Sequence, residues 1–162
     1  KILRGTMKKL ARLGCVALLL TVAPSCKNLP MMGEAQAQAS LIPLTIKTST
    51  AVRKFRVEVA RTEDEQARGL MFRQSLAEDG GMIFPMSPPR FASFWMKNTV
   101  IPLDMIFIRG DGTIARIASD TIPYSLEPVD SGEPVAAVLE LAGGKAAALG
   151  IAEDDVVTWE DK

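Results

Sequence analysis

In "SFWMKNTVIPLDMIFI", Ser93 to Ile108, two apolar runs are interrupted by Lys97, Asn98, Thr99 and Asp104. Lysine and aspartate at opposite ends of one loop could form a salt bridge across two strand ends, or hold a polar ligand. A second acid, Glu140, stands in the apolar run "VAAVLEL". By strand alternation Asp104 shares a face with Ile106 and Ile108, and Glu140 with Val138 and Ala136. Where such faces are buried, each carboxylate needs a cation or hydrogen-bond donors, because an isolated buried charge is very costly. Lys97, Arg73 and Asn98 are the candidate partners. The cluster reads either as structural fastening or as a contact for a ligand or substrate.

Much familiar chemistry is absent. The chain has no histidine, which removes the commonest general base and zinc ligand. Its two cysteines, Cys15 and Cys26, lie near the N-terminus, so Cys–His catalysis and Ser–His–Asp triads are excluded. "GGKAAAL" lacks the preceding glycine of a phosphate loop and has Ala146 where Ser or Thr would hold magnesium, so Gly143 and Gly144 read as a strand-to-helix turn. Met71, Met82, Met86, Met96 and Met105 could bind Cu(I) as thioethers, but methionine in apolar strands commonly fills core gaps. Core packing is the stronger reading, as it is for Trp95, whose alternative is the floor of a pocket beside Lys97. No cofactor is expected.

These residues must be positioned by short strands. "FRVEVA" alternates with period two; "GMIFPM", "FASFWMKN", "LDMIFI", "TIARIASD" and "VAAVLEL" are short runs bounded by turn residues, and "VVTWE" closes the chain. Thr62 with Glu65 forms a capping-box pattern opening a short helix that ends near Gly69. A second short helix over "AGGKAAALG" suits closure by Gly150. "RGDG" signals a hairpin; turn chemistry accounts for its Arg-Gly-Asp without an adhesive role. The expected fold is mainly β, a compact β-sandwich or barrel-like single domain over 41–162 with two short helices.

The N-terminal region reads differently. Residues 1–6 precede the first methionine and are taken as upstream, non-native residues; Lys8, Lys9 and Arg12 then lead into the apolar "LGCVALLLTVA", an export signal too short to span a bilayer, which takes roughly 20 apolar residues. Two processing readings compete. A signal over 7–25 would leave Cys26 lipidated, the only membrane attachment expected, with 26–40 as a flexible tether; cleavage in "AQAQAS" would extend the leader to 7–39. Five of the 19 basic groups precede Cys26 while all 19 acidic groups follow it, leaving 14 against 19 and a formal charge of −5. Nucleic acid is therefore not expected as a partner, since no cationic face is available to neutralise phosphates.

"ARGLMFRQSL", "GGMIFPM", "FASFWMKNTVIPLDMIFI" and "VLELAGGKAAALGI" together resemble the family known as domain of unknown function 192, from roughly Val57 to Val157. The matching positions are Gly69, Leu70, Met71 and Arg73; Trp95, Met96, Lys97, Asn98, Thr99, Pro102 and Asp104; and Glu140. Ala142-Gly143-Gly144-Lys145 departs from the usual segment, which is closer to Pro-Ala-Gly. The resemblance implies a compact, mostly β domain with short helices, often exported in bacteria, with no established activity. The expectation is a noncatalytic module of the periplasm or cell envelope that binds a small molecule or an envelope protein through Arg73, Trp95, Lys97, Asn98, Thr99, Asp104 and Glu140. A small hydrolase or lyase using Lys97 with Asp104 or Glu140, and methionine-based copper handling, are the alternatives.

Overall fold

The computed structural model describes residues 40–160; the leader, both processing alternatives and Cys26 lie outside them. Among the described residues there are seven strands: β1 (Ile42–Lys47), β2 (Val52–Val59), β3 (Gly80–Phe94), β4 (Leu103–Ile108), β5 (Ile114–Thr121), β6 (Val129–Ala142) and β7 (Val156–Trp159). Helix α1 (Glu63–Arg68) joins β2 to β3, and α2 (Lys145–Leu149) joins β6 to β7. All strands belong to one sheet ordered β5-β4-β6-β3-β2-β1-β7, in which only β2 and β3 pair in parallel. Its two margins meet where Thr113 bridges Val156, aided by backbone bonds Ile114 N to Asp155 O and Val157 N to Gly112 O. The domain is a mainly β, curled half-barrel with two short helices, so the barrel-like expectation holds and the two-sheet sandwich does not.

Local signals in the chain explain several elements. Thr62 accepts from Glu65 N while the Glu65 carboxylate accepts from Thr62 N, a complete capping box. The Thr62 amide, with that of Arg61, holds the Glu65 carboxyl below its ordinary range. The hairpin between β4 and β5 closes through Gly112 at φ 89, a conformation glycine adopts without a steric cost. Gly150 ends α2 in the left-handed region, as the sequence suggests. "GMIFPM" and "FASFWMKN" turn out to contribute to one long strand, β3, because the register with β6 shifts across Met86–Pro89, where two prolines cannot donate ladder bonds.

The curled sheet has two apolar faces. Leu44, Phe55, Ile83, Ile106, Ile114, Leu139 and Val157, one from every strand, fill the concave side. On the opposite side of β3, β4 and β6 lie Met82, Phe84, Met105, Phe107 and Val138, covered by Leu70 and Met96 from the neighbouring loops. Thus Met82, Met86, Met96 and Met105 are buried in this second cluster, as the core-packing reading expects. Gly69 lets the α1 connection descend onto this face: its φ is 46 and ψ −133, and a Cβ there would stand 3.3 Å from Phe84 Cζ. Gly69→Ala should cost roughly 2 kcal/mol, read from denaturant midpoints, because backbone strain and crowding act together.

Candidate functional site

The polar interruption in Ser93–Ile108 divides into parts with different tasks. Thr99 N bonds to Met96 O at 3.0 Å, making a four-residue turn whose third residue, Asn98, has φ 57. Asparagine tolerates that left-handed position better than most residues. The turn is pinned on both flanks: Phe72 N donates to Asn98 O at 2.9 Å, and Tyr124 N donates to Thr99 O at 3.1 Å. Asn98 Nδ2 also lies 3.7 Å from Met71 Sδ. Phe72 and Tyr124 themselves have positive φ, so strained backbone is concentrated around this turn.

Asp104 is fully buried and faces the concave side of the sheet. Its Oδ1 accepts from Asp120 N at 2.8 Å and Gly144 N at 2.9 Å, and its Oδ2 accepts from Ala146 N at 2.7 Å. This carboxylate ties the β5 end and the α2 turn to β4, the fastening reading of the sequence. The expected Lys97–Asp104 salt bridge does not form. Lys97 is exposed, with Nζ 5.0 Å from the centroid of the Trp95 ring. Arg73 is likewise engaged elsewhere, in a 2.7 Å ion pair with Glu58.

Glu140 faces the other way. It pairs across strands with Met105 and Met82, so it belongs to the face opposite Asp104. Asp104 and Glu140 therefore do not constitute a carboxylate pair, because adjacent strands carry them on opposite sides of the sheet. Gly81 permits the close backbone approach here: a Cβ on it would meet Glu140 O at 2.5 Å. Held in the middle of β6, the Glu140 side chain is 5 % exposed and makes no hydrogen bond or ion pair among the described residues. Burial alone pushes its carboxyl from an ordinary 4.5 up to about 8.

The carboxyl borders a cavity of about 490 Å³, within the ordinary size of small-molecule sites. Apolar walls come from Leu70, Met71, Phe84, Met86, Phe94 and Trp95; Arg68 and Arg90 stand at the exposed side. Phe84 and Phe94 meet edge to face, their centroids 5.1 Å apart. Trp95 is half exposed and lines this space, so it is not the core residue expected from its strand-like surroundings. Buried Thr99 also lines it, whereas Arg73, Lys97, Asn98 and Asp104 do not. Another cavity, of about 530 Å³ beside Arg53, Glu78 and Lys145, has no buried ionisable group in its wall.

The match to the family profile described as an uncharacterized ACR extends over residues 44–159 and so takes in both the Asp104 fastening and the Glu140 cavity. The chain belongs to the DUF192 family. A protein of unknown function from Novosphingobium aromaticivorans DSM 12444 has a similar crystal structure, with 48% identity and a TM-score of 0.72, over 74% of this chain and 85% of that one. A second, from Sinorhizobium meliloti 1021 and named provisionally as a transcription regulator, gives 38% identity and a TM-score of 0.73, over 75% and 95%. No curated protein matches.

Among the cavity residues of this DUF192 chain, the sequence singled out Trp95, Thr99 and Glu140 as binding candidates, Met71 and Met86 as methionines of the core or of a thioether site, and Gly69 and Leu70 as family positions. Arg68 and Arg90 were missed, since exposed arginines in a helix and beside a strand bulge carry no local signal. Phe84 could have been found: it alternates with Met82, the cross-strand partner of Glu140. The Arg-Gly-Asp turn is occupied internally, with Arg109 bonded to Glu133 and Asp154, and Asp111 to Thr113. Its neighbours hold Arg109 above and Asp111 below their ordinary pKa ranges.

Proposed function

We propose that this domain is a noncatalytic module of the bacterial cell envelope that binds a small molecule in the cavity beneath Trp95. The observation that carries the reading is Glu140: an acid 5 % exposed, held by a central strand, without a protein partner among the described residues and bordering a cavity whose walls are part apolar and part polar. Such a group is costly in an empty site and useful in a filled one, where a ligand can supply the missing contact. The envelope location rests on the export signal read in the N-terminal sequence.

The hydrolase or lyase alternative draws little support, because Lys97 lies over Trp95 while Asp104 is committed to three backbone amides on the other side of the sheet. A transcriptional role, suggested only by the name of the Sinorhizobium meliloti protein, is disfavoured by the acidic balance of residues 27–162. A protein partner is the closer rival. Exposed Phe72, Ile122, Tyr124 and Leu126 flank the turn beside the cavity, and crosslinking in cells would reveal a partner seated on them.

The test is a chemical-shift screen of the protein against envelope-derived small molecules, including cations, zwitterions, anions and neutral glycans. The expected result is a saturable response centred on the amides of Gly69, Trp95, Thr99 and Glu140, abolished in Glu140→Leu. Silence across the set, or responses confined to other surfaces, would count against a cavity ligand.

A further inference from the structure

The lining of the cavity narrows the class of ligand. A buried acid stands in its wall, and no cation pairs with it among the described residues. Phe84 and Phe94 supply two rings at 84° to one another, so they form adjoining walls. Trp95 already attracts a cation, the Lys97 ammonium. Aromatic rings present negative faces, and a set of them beside a carboxylate favours a positively charged group.

Hydrogen-bond capacity distinguishes among cations. A primary ammonium draws on three acceptors: the lining offers the Glu140 carboxyl and the side-chain oxygens of Gln66, Ser93 and Thr99, the last donating to Lys97 O at 3.4 Å and still able to accept, whereas the walls formed by Leu70, Met71 and Met86 offer apolar surface. Methyl groups on nitrogen need no acceptors and suit those walls. At the exposed side the charge reverses, with Arg68 from α1 and Arg90 from β3, the latter 3.4 Å from Gln66 Oε1. A guanidinium pair is suited to a carboxylate or phosphate.

Building on the small-molecule reading, we propose that the cavity recognises a methylated ammonium carried on a small zwitterion. The ammonium sits against Glu140 and the rings of Phe84, Phe94 and Trp95, and the anionic end points toward Arg68 and Arg90. This arrangement predicts linkage to protons. The flanking strands present Met82 and Met105 to Glu140, neither ionisable, and the charged groups lining the cavity are Arg68 and Arg90. The buried carboxyl is protonated at neutral pH, so a cation entering the site expels that proton and binds more tightly as pH rises toward about 8.

The experiment is calorimetric titration of the full chain with glycine betaine and with tert-butylacetate, which keeps the shape and the carboxylate but replaces the charged nitrogen by carbon. Glycine betaine should bind roughly tenfold or more tightly than its isostere. Its heat at neutral pH should vary with the ionisation enthalpy of the buffer, revealing proton release that Glu140→Gln abolishes. Equal or tighter binding of tert-butylacetate would overturn the cation assignment while leaving a cavity that binds small molecules. Absence of binding by both would also overturn it, and the broader shift screen would then decide separately whether the cavity is a site at all.

Discussion

Glu140→Gln is expected to gain stability over the wild-type protein as pH rises, by roughly 10 °C in thermal midpoint between pH 4.5 and pH 8. The sign follows from where the proton resides. Below the ordinary value of 4.5 the carboxyl is neutral in both folded and unfolded chains, and its ionisation does not affect the equilibrium. Between 4.5 and about 8 the unfolded chain has released the proton while the folded chain retains it, so wild-type stability falls with rising pH. Above about 8 both forms are ionised and this contribution is constant. The total is on the order of 3–5 kcal/mol, taking about 1.4 kcal/mol per pH unit and allowing for relaxation of the cavity. Glutamine does not titrate, and any fixed offset from its amide leaves the slope unchanged. Thermal unfolding across that pH range is the measurement; a wild-type minus variant difference that stays flat would mean the carboxyl has a partner or is well hydrated.

Asp104→Asn should act in the opposite direction, lowering stability by roughly 3–5 kcal/mol at neutral pH. All three donors to Asp104 are backbone N–H groups. An asparagine retains one acceptor oxygen but turns an NH₂ toward a buried N–H, leaving a donor facing a donor. Two of those amides belong to Gly144 and Ala146, so damage should concentrate at α2 and appear there first as faster amide exchange. Lys97→Met provides the contrast. Its ammonium contacts an exposed ring, and removing it should change stability by no more than about 1 kcal/mol. Comparable losses in both variants would indicate a direct coupling between Lys97 and Asp104 that the geometry lacks.

What could be read in advance depended on range. Thr62, Glu65 and Gly69 mark α1 through contacts within a few residues, and the Asp-Gly turn after "LDMIFI" acts equally locally. Alternation also placed Asp104 and Glu140 on their strand faces, but it could not say what would cover those faces. α2 and its turn come to Asp104, while the α1 connection and the Met96–Thr99 turn enclose the cavity beside Glu140. Both are long-range events. β1 had no strong pattern, yet it pairs with β2 and β7, and the sheet order places residues distant in sequence side by side. Alternation with Phe91, Ser93 and Lys97 favours core for Trp95 but leaves the floor of a pocket open; the residue follows the end of β3, half exposed, and lines the cavity.

The junction of Thr113 with Val156 affects the behaviour of neighbouring molecules as well as the fold. β5 and β7 are the outermost strands, where unpaired amides and carbonyls would otherwise serve as templates for another chain. By turning these margins toward each other at one end, the curl occupies part of the backbone available for intermolecular pairing. Opening this clasp would expose ladder positions beside the apolar Ile114 and Val157, both buried on the concave side. Self-association should therefore begin at this seam when the domain is destabilised, well away from the cavity beneath Trp95.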